Sequence, residues 1–117
     1  MRITETYTLN AQDTLQCIDI SSACMDSLKH QNIEAALSMI HVVKNDTLYP
    51  LYMDQKKKMA SKFELFPVLE YKMLALSFDE SIGNSVQFRV KFAENAYINM
   101  QFNLIKINGS WFLYINE

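Results

Sequence analysis

Few side chains in this sequence are equipped for acid–base work. His41 and Asp46 stand five positions apart, and a loop between them could form an imidazole–carboxylate dyad. Tyr49 and Tyr52 flank Pro50 and could offer hydroxyls to a substrate, while Asp79 and Glu80 sit beside Ser81 and Asn84. Each has a plainer reading. His30 and His41 fall where helices are expected to end, and a cation-capable ring there suits the helix dipole. A tyrosine at a helix start commonly packs its ring and leaves its hydroxyl in water. The cluster at 79–84 has the composition of a turn.

Metal and nucleophile chemistry find less. Cys17 and Cys24 are seven residues apart in one expected helix, about 10 Å along its axis. A disulfide needs Cα atoms within about 7 Å, so the pair reads as two small apolar residues of a buried stripe. No Cys or His pair supports a metal, and there is no glycine-rich phosphate loop or Gly-x-Ser-x-Gly elbow. The expectation is therefore no catalytic residue, no metal and no cofactor.

The chain has 117 residues, half of them hydrophobic, with a net charge of −2. That is one domain, able to bury roughly two-thirds of its unfolded surface. Its charge balance excludes a nucleic-acid footprint, and Lys56-Lys57-Lys58 reads as a solvated helix face. No apolar run approaches the ~20 residues of a membrane span. The N-terminus lacks the apolar core of a signal peptide, so the expectation is a cytoplasmic protein or one whose export signal has been removed.

Positions 1–12 are polar and β-leaning, an expected arm ahead of a domain over 13–117. Leu15, Ile18, Met25 and Leu28 mark a first helix, with Asp13 as candidate N-cap. Lys29-His30-Gln31-Asn32 breaks it, and Asn32 caps a short second helix, IEAALSMI, which His41 follows. Asp46 or Thr47 is a candidate cap for a third helix, with Pro50 in its first turn and Pro67 at its end. Strands then follow over about 68–78, 85–93, 97–107 and 110–116.

Alternation fixes which strand faces look inward. A two-residue Asn108-Gly109 turn pairs Leu104 with Leu113, apolar with apolar. A three-residue loop, Glu94-Asn95-Ala96, pairs Phe92 with Ile98, Val90 with Met100 and Phe88 with Phe102. One sheet face is then strongly apolar and must lie under the helices. Between Val86 and Phe92 and between Ile98 and Leu104, that face offers no titratable group. This argues against an enzyme.

The order helix, break, SLKHQNIEAALSMI, helix, then a strand meander closing on INGSWFLY resembles the nuclear transport factor 2-like superfamily. These are cystatin-like α+β rolls, and the likeness is nearest to small bacterial secreted or lipoprotein-attached members of unknown function. The break lacks the family's usual Gly-Asp. The resemblance implies an α+β fold with N-terminal helices on a curved antiparallel sheet of four or more strands, and a cavity between the layers. Some members bind a small ligand there, others run isomerase or dehydratase chemistry, and many only dimerise.

Two sets of candidate residues follow. If a pocket exists, its apolar lining is Tyr52, Phe63, Phe88, Met100 and Trp111, which suits a small apolar ligand. On the opposite face, Ile105, Phe112 and Tyr114 form a greasy patch on an otherwise polar surface, with Arg89 and Gln101 toward its rim. Such a patch predicts a homodimer. The function expected is a non-catalytic binding or interaction domain, with a small isomerase or dehydratase as the alternative.

Overall fold

A computed structural model describes residues 10–79 and 83–116. The expected arm falls almost wholly outside them, as does Glu80. The elements are α1 (Ala11–Lys29), α2 (Ile33–Ser38), β1 (Ile40–Lys44), β2 (Thr47–Pro50), α3 (Met53–Leu65), β3 (Glu70–Ser77), β4 (Asn84–Ala93), β5 (Ala96–Ile107) and β6 (Ser110–Asn116). The strands form one six-stranded sheet in the order β2-β1-β6-β5-β4-β3. It curls into a half-barrel around the helices. All its pairings are antiparallel except β1 with β6, so the sheet is mixed.

Helix α1 begins earlier than Asp13. Asn10 is its cap: the Asn10 side chain accepts from the Gln12 and Asp13 amides, and Asp13 accepts from the Asn10 amide. Asp13 is thus the returning member of a capping box. The buried stripe is Asp13, Cys17, Ser21, Cys24, Met25 and Leu28, whereas Leu15 is 61% exposed. Leu15 leaves the core because the stripe is set by Cys17 and Cys24, eleven and four residues before Leu28. Both cysteines are free and buried, as their spacing implied.

The helix ends at His30, whose Nδ1 lies 2.7 Å from the Asp26 carbonyl. Gln31 then takes φ 62°, a left-handed conformation that glycine usually fills after a helix. Asn32 caps α2 by accepting from the Ala35 amide at 3.3 Å.

Residues 39–52 differ most from expectation. Helix α2 stops at Ser38, and Ile40 and His41 belong to a strand. Asn45 and Asp46 both have positive φ, 52° and 57°, and form the tight turn of a β1–β2 hairpin. Neither Asp46 nor Thr47 caps a helix. Pro50 lies on the edge strand β2, where a missing N–H costs no ladder bond to a second neighbour. Helix α3 starts only at Met53, after Tyr52, whose amide is taken by the Gln55 side chain at 2.8 Å.

The Asn108-Gly109 hairpin has the expected register, with Leu104 opposite Leu113 and positive φ at both turn residues. The β4–β5 hairpin does not. Its turn is the two residues Glu94-Asn95, Ala93 pairs with Ala96, and a bulge at Phe92 shifts the ladder. Val90 therefore meets Ile98, Phe88 meets Met100 and Val86 meets Phe102. The ladder moves by two residues, so every side chain keeps its face.

The core lies between the sheet and the helices. Val86, Phe88, Val90, Phe102, Leu104, Trp111 and Leu113 meet Cys17, Cys24, Met25 and Leu28 of α1, Ala36 and Leu37 of α2, and Phe63 of α3. Helix α3 leans mainly on α2 and touches the sheet little.

Candidate functional site

The concave face carries charge after all, one alternation beyond Leu104. Lys106 shares the face of Leu104 and pairs directly with Trp111 across the β5–β6 hairpin. Helix α1 supplies the partner, because its capping box sets Asp13 at the first turn with one carboxylate oxygen facing the sheet. Asp13 Oδ1 accepts from Lys106 Nζ at 2.8 Å and from Trp111 Nε1 at 3.0 Å. Its other oxygen accepts from the Asn10 amide at 2.8 Å. Asp13 is only 2% exposed.

The Lys106 hydrogen bond, then that of Trp111, holds the Asp13 carboxyl down at about 2, while burial pushes the other way. A proton-transfer group works best with a pKa near the operating pH. Asp13 is far from it, and three donors occupy its oxygens. The cluster joins the start of α1 to the β5–β6 hairpin, and its chemistry is that of a buried ionic staple.

A second polar tie lies at the far edge of the sheet. Tyr71 of β3 donates its hydroxyl hydrogen to Asp26 Oδ1 of α1 at 2.5 Å and sets its ring edge-on to Phe88. Burial first, and then this bond and the Asp26 charge, push the Tyr71 hydroxyl up to about 12. Burial likewise raises both thiols to about 12, so neither cysteine is a thiolate at neutral pH. Among the described residues every buried side-chain nitrogen and oxygen has a hydrogen-bond partner, and no group of three or more His, Cys, Asp or Glu is placed to hold a metal.

The other sequence candidates are dispersed. His41 sits at the base of the β1–β2 hairpin opposite Pro50, and Asp46 is at its tip. Four residues of extended chain and turn keep that dyad apart. His41 Nδ1 lies 3.2 Å from the Leu113 carbonyl, and its ring meets Phe112 edge-on at 5.3 Å. Tyr49 and Tyr52 are both 40% exposed. Phe63, Phe88 and Trp111 lie in the core cluster, and Met100 packs against it half-buried.

On the convex face, Ile105 pairs with Phe112, and Tyr114 lies beside His41 across the parallel β1–β6 pair. All four are half-buried, and burial raises the Tyr114 hydroxyl. Arg89 and Gln101 are exposed on the same face, Gln101 accepting from Gln87 at 3.0 Å.

Sequence reasoning missed the Asp13–Lys106–Trp111 staple. The alternation of β5 extends to Lys106 as its next inward position, but its partner lies 93 residues earlier, on a helix that Asn10 and not Asp13 caps.

No family model and no curated protein matches the chain. Solved structures do. A protein of unknown function with a cystatin-like fold from Nostoc punctiforme superposes with a TM-score of 0.61 at 15% identity, covering 94% of each chain. A nuclear transport factor 2-like protein of unknown function from Shewanella baltica gives 0.55 at 17% identity, over 94% of this chain and 95% of that one. A de novo designed protein with a curved β-sheet also gives 0.55, at 10% identity, over 92% of this chain and 87% of its own. A design made for its curvature can share this shape, so the shape alone carries no activity. What the superpositions establish is the architecture: the chain has the nuclear transport factor 2-like, cystatin-like α+β fold.

Proposed function

We propose that the chain is a non-catalytic binding domain that takes a small apolar ligand between α3 and the concave face of the sheet. The observation that carries this reading is the pairing of an apolar concave floor with a carboxylate, Asp13, whose oxygens are already occupied. Around the floor runs a half-buried fringe of Met59, Met73, Ile98 and Met100, pliable side chains that repack around a guest. Helix α3 offers the way in, because it leans on α2 more than on the sheet. Tyr52, Phe63, Phe88, Met100 and Trp111 are the proposed lining, with Tyr52 at the mouth.

N-phenyl-1-naphthylamine, a neutral apolar fluorophore, tests the reading. Wild-type protein is expected to bind it saturably with blue-shifted emission, and Met100→Trp, which adds bulk to the proposed lining, to abolish binding while keeping the native circular dichroism. Non-saturable emission, or binding unchanged in a folded Met100→Trp variant, would overturn the proposal.

The convex patch supports a second reading, a homodimer. Ile105, Phe112 and Tyr114 gain His41 as a fourth aromatic or apolar neighbour, and an isologous contact would bury the patch on both subunits. Arg89 and Gln101 would lie toward the rim. Light scattering at micromolar concentration is expected to show a dimer for the wild type and a folded monomer for Phe112→Asp. A monomeric wild type, or a dimeric Phe112→Asp, would refute it.

A further inference from the structure

We propose that the convex face, where β3, β4 and β5 lie side by side, carries an oxyanion site built from Lys72, Arg89 and Lys91 over Tyr97, suited to a phosphate group. It is independent of the apolar ligand, which lies on the other side of the sheet.

The registers assemble it. Lys72 stands directly opposite Arg89 on the β3–β4 ladder, with Glu70 opposite Lys91. On the β4–β5 ladder Lys91 stands opposite Tyr97. Their parity is opposite to that of Phe88 and Val90, so they point away from the helices. With Glu70 and Tyr71 they line a cleft of about 160 Å³.

Two features make this more than a solvated charge run. First, the Arg89 guanidinium lies 4.6 Å from the centre of the Tyr97 ring. Stacking fixes the plane of the guanidinium and leaves its edge of N–H donors free to take two oxygens at once. Second, Lys72 opposite Arg89 is a like-charge cross-strand pair, which destabilises a sheet. Glu70 is the only carboxylate in the lining, against three cations. The Lys106–Asp13 ion pair is on the other face. A bound dianion would relieve the repulsion.

The number of donors selects the ligand. A carboxylate has two oxygens in one plane and would occupy the Arg89 fork alone. A phosphate presents further oxygens out of that plane, which Lys72 and Lys91 can reach from either side of Arg89. Free phosphate and a phosphomonoester share this chemistry.

The experiment is a titration of the isotopically labelled protein with inorganic phosphate at low ionic strength, read by amide resonances, with acetate and O-phosphoserine as further arms. Saturating shifts are expected at residues 70–72, 89–91 and 97–99, with acetate much weaker. Tighter binding of O-phosphoserine than of inorganic phosphate would identify an esterified ligand, and the reverse a free one. Arg89→Gln is expected to weaken binding at least about tenfold, the loss of one charge-assisted hydrogen bond or more. Lys57→Gln/Lys58→Gln, on α3, should leave it unchanged. Lys72→Gln should raise Tm without phosphate, by removing the like-charge pair, and lose most of the rise that phosphate gives the wild type. Unsaturable shifts, acetate equal to phosphate, or the α3 pair mattering as much as Arg89 would each overturn the site.

Discussion

Trp111→Ala is expected to cost about 3–5 kcal/mol of unfolding free energy, the range for removing a large aromatic from a packed core. Trp111 is 5% exposed, tilts against Phe78 with ring centres 5.7 Å apart, and donates to Asp13. Truncation opens a cavity and leaves the Asp13 carboxylate with one donor fewer. Domains of this size are stable by about 5–15 kcal/mol, so the change consumes a large share and lowers Tm by roughly 10–25 °C. Trp111→Phe keeps most of the volume and removes the N–H, and should fall between Ala and wild type. Paired thermal and urea denaturation measures both. A loss below about 1 kcal/mol for the alanine variant would mean that the hairpin is not anchored through this ring.

The second large effect is acid lability, and it belongs to Asp13. Its carboxyl titrates near 2 in the folded protein against 3.8 unfolded, chiefly through the Lys106 hydrogen bond and then that of Trp111. Above both values the carboxylate is ionised in either state, and the folded state holds the full benefit. As pH falls through about 4 toward 2, the unfolded chain binds its proton first and the stabilisation is lost. Urea midpoints should therefore decline across that window, and Asp13→Asn should remove this part of the slope. Lys106→Met alone should be more harmful than Asp13→Leu/Lys106→Met, because the single change leaves an ionised carboxylate facing the core without its cation, while the pair leaves neither charge. If the double variant is the less stable one, the staple is not behaving as a desolvated ion pair.

Local patterns made much of the architecture readable. The break at 29–32, the short helix from Ile33, the alternation in β4, β5 and β6 and the Asn108-Gly109 turn each carry their signal within a few residues. The fourteen or so residues around Val42 and Pro50 were not readable in the same way. Asp46, Thr47 and Pro50 make an acceptable helix start, and only Val42-Val43 and two turn-tolerant residues, Asn45-Asp46, speak for a hairpin. What decides in favour of strands is β6, which pairs with β1 from about 70 residues away. The Phe92 bulge was hidden for a related reason. It changes the ladder but not the faces, and alternation reports only faces. For the site, the inward apolar residues were legible and the staple was not, since a buried aspartate and lysine are recognisable only once each has the other.

The position of β6 also dictates a timetable. It lies between β5 and β1, so the β1–β2 hairpin has no inner neighbour until residues 110–116 have been synthesised. On the ribosome, α1, α2 and the first hairpin emerge long before the strand that joins them to the rest of the sheet. Until then β1 presents an open ladder edge, with Ile40 and Val42, both fully buried in the finished protein, uncovered beside it. Closure must wait for a contact of long sequence separation, which slows folding and prolongs exposure of that edge. The nascent chain, more than the finished fold, is the form of this protein in which that edge is open to pairing with another chain.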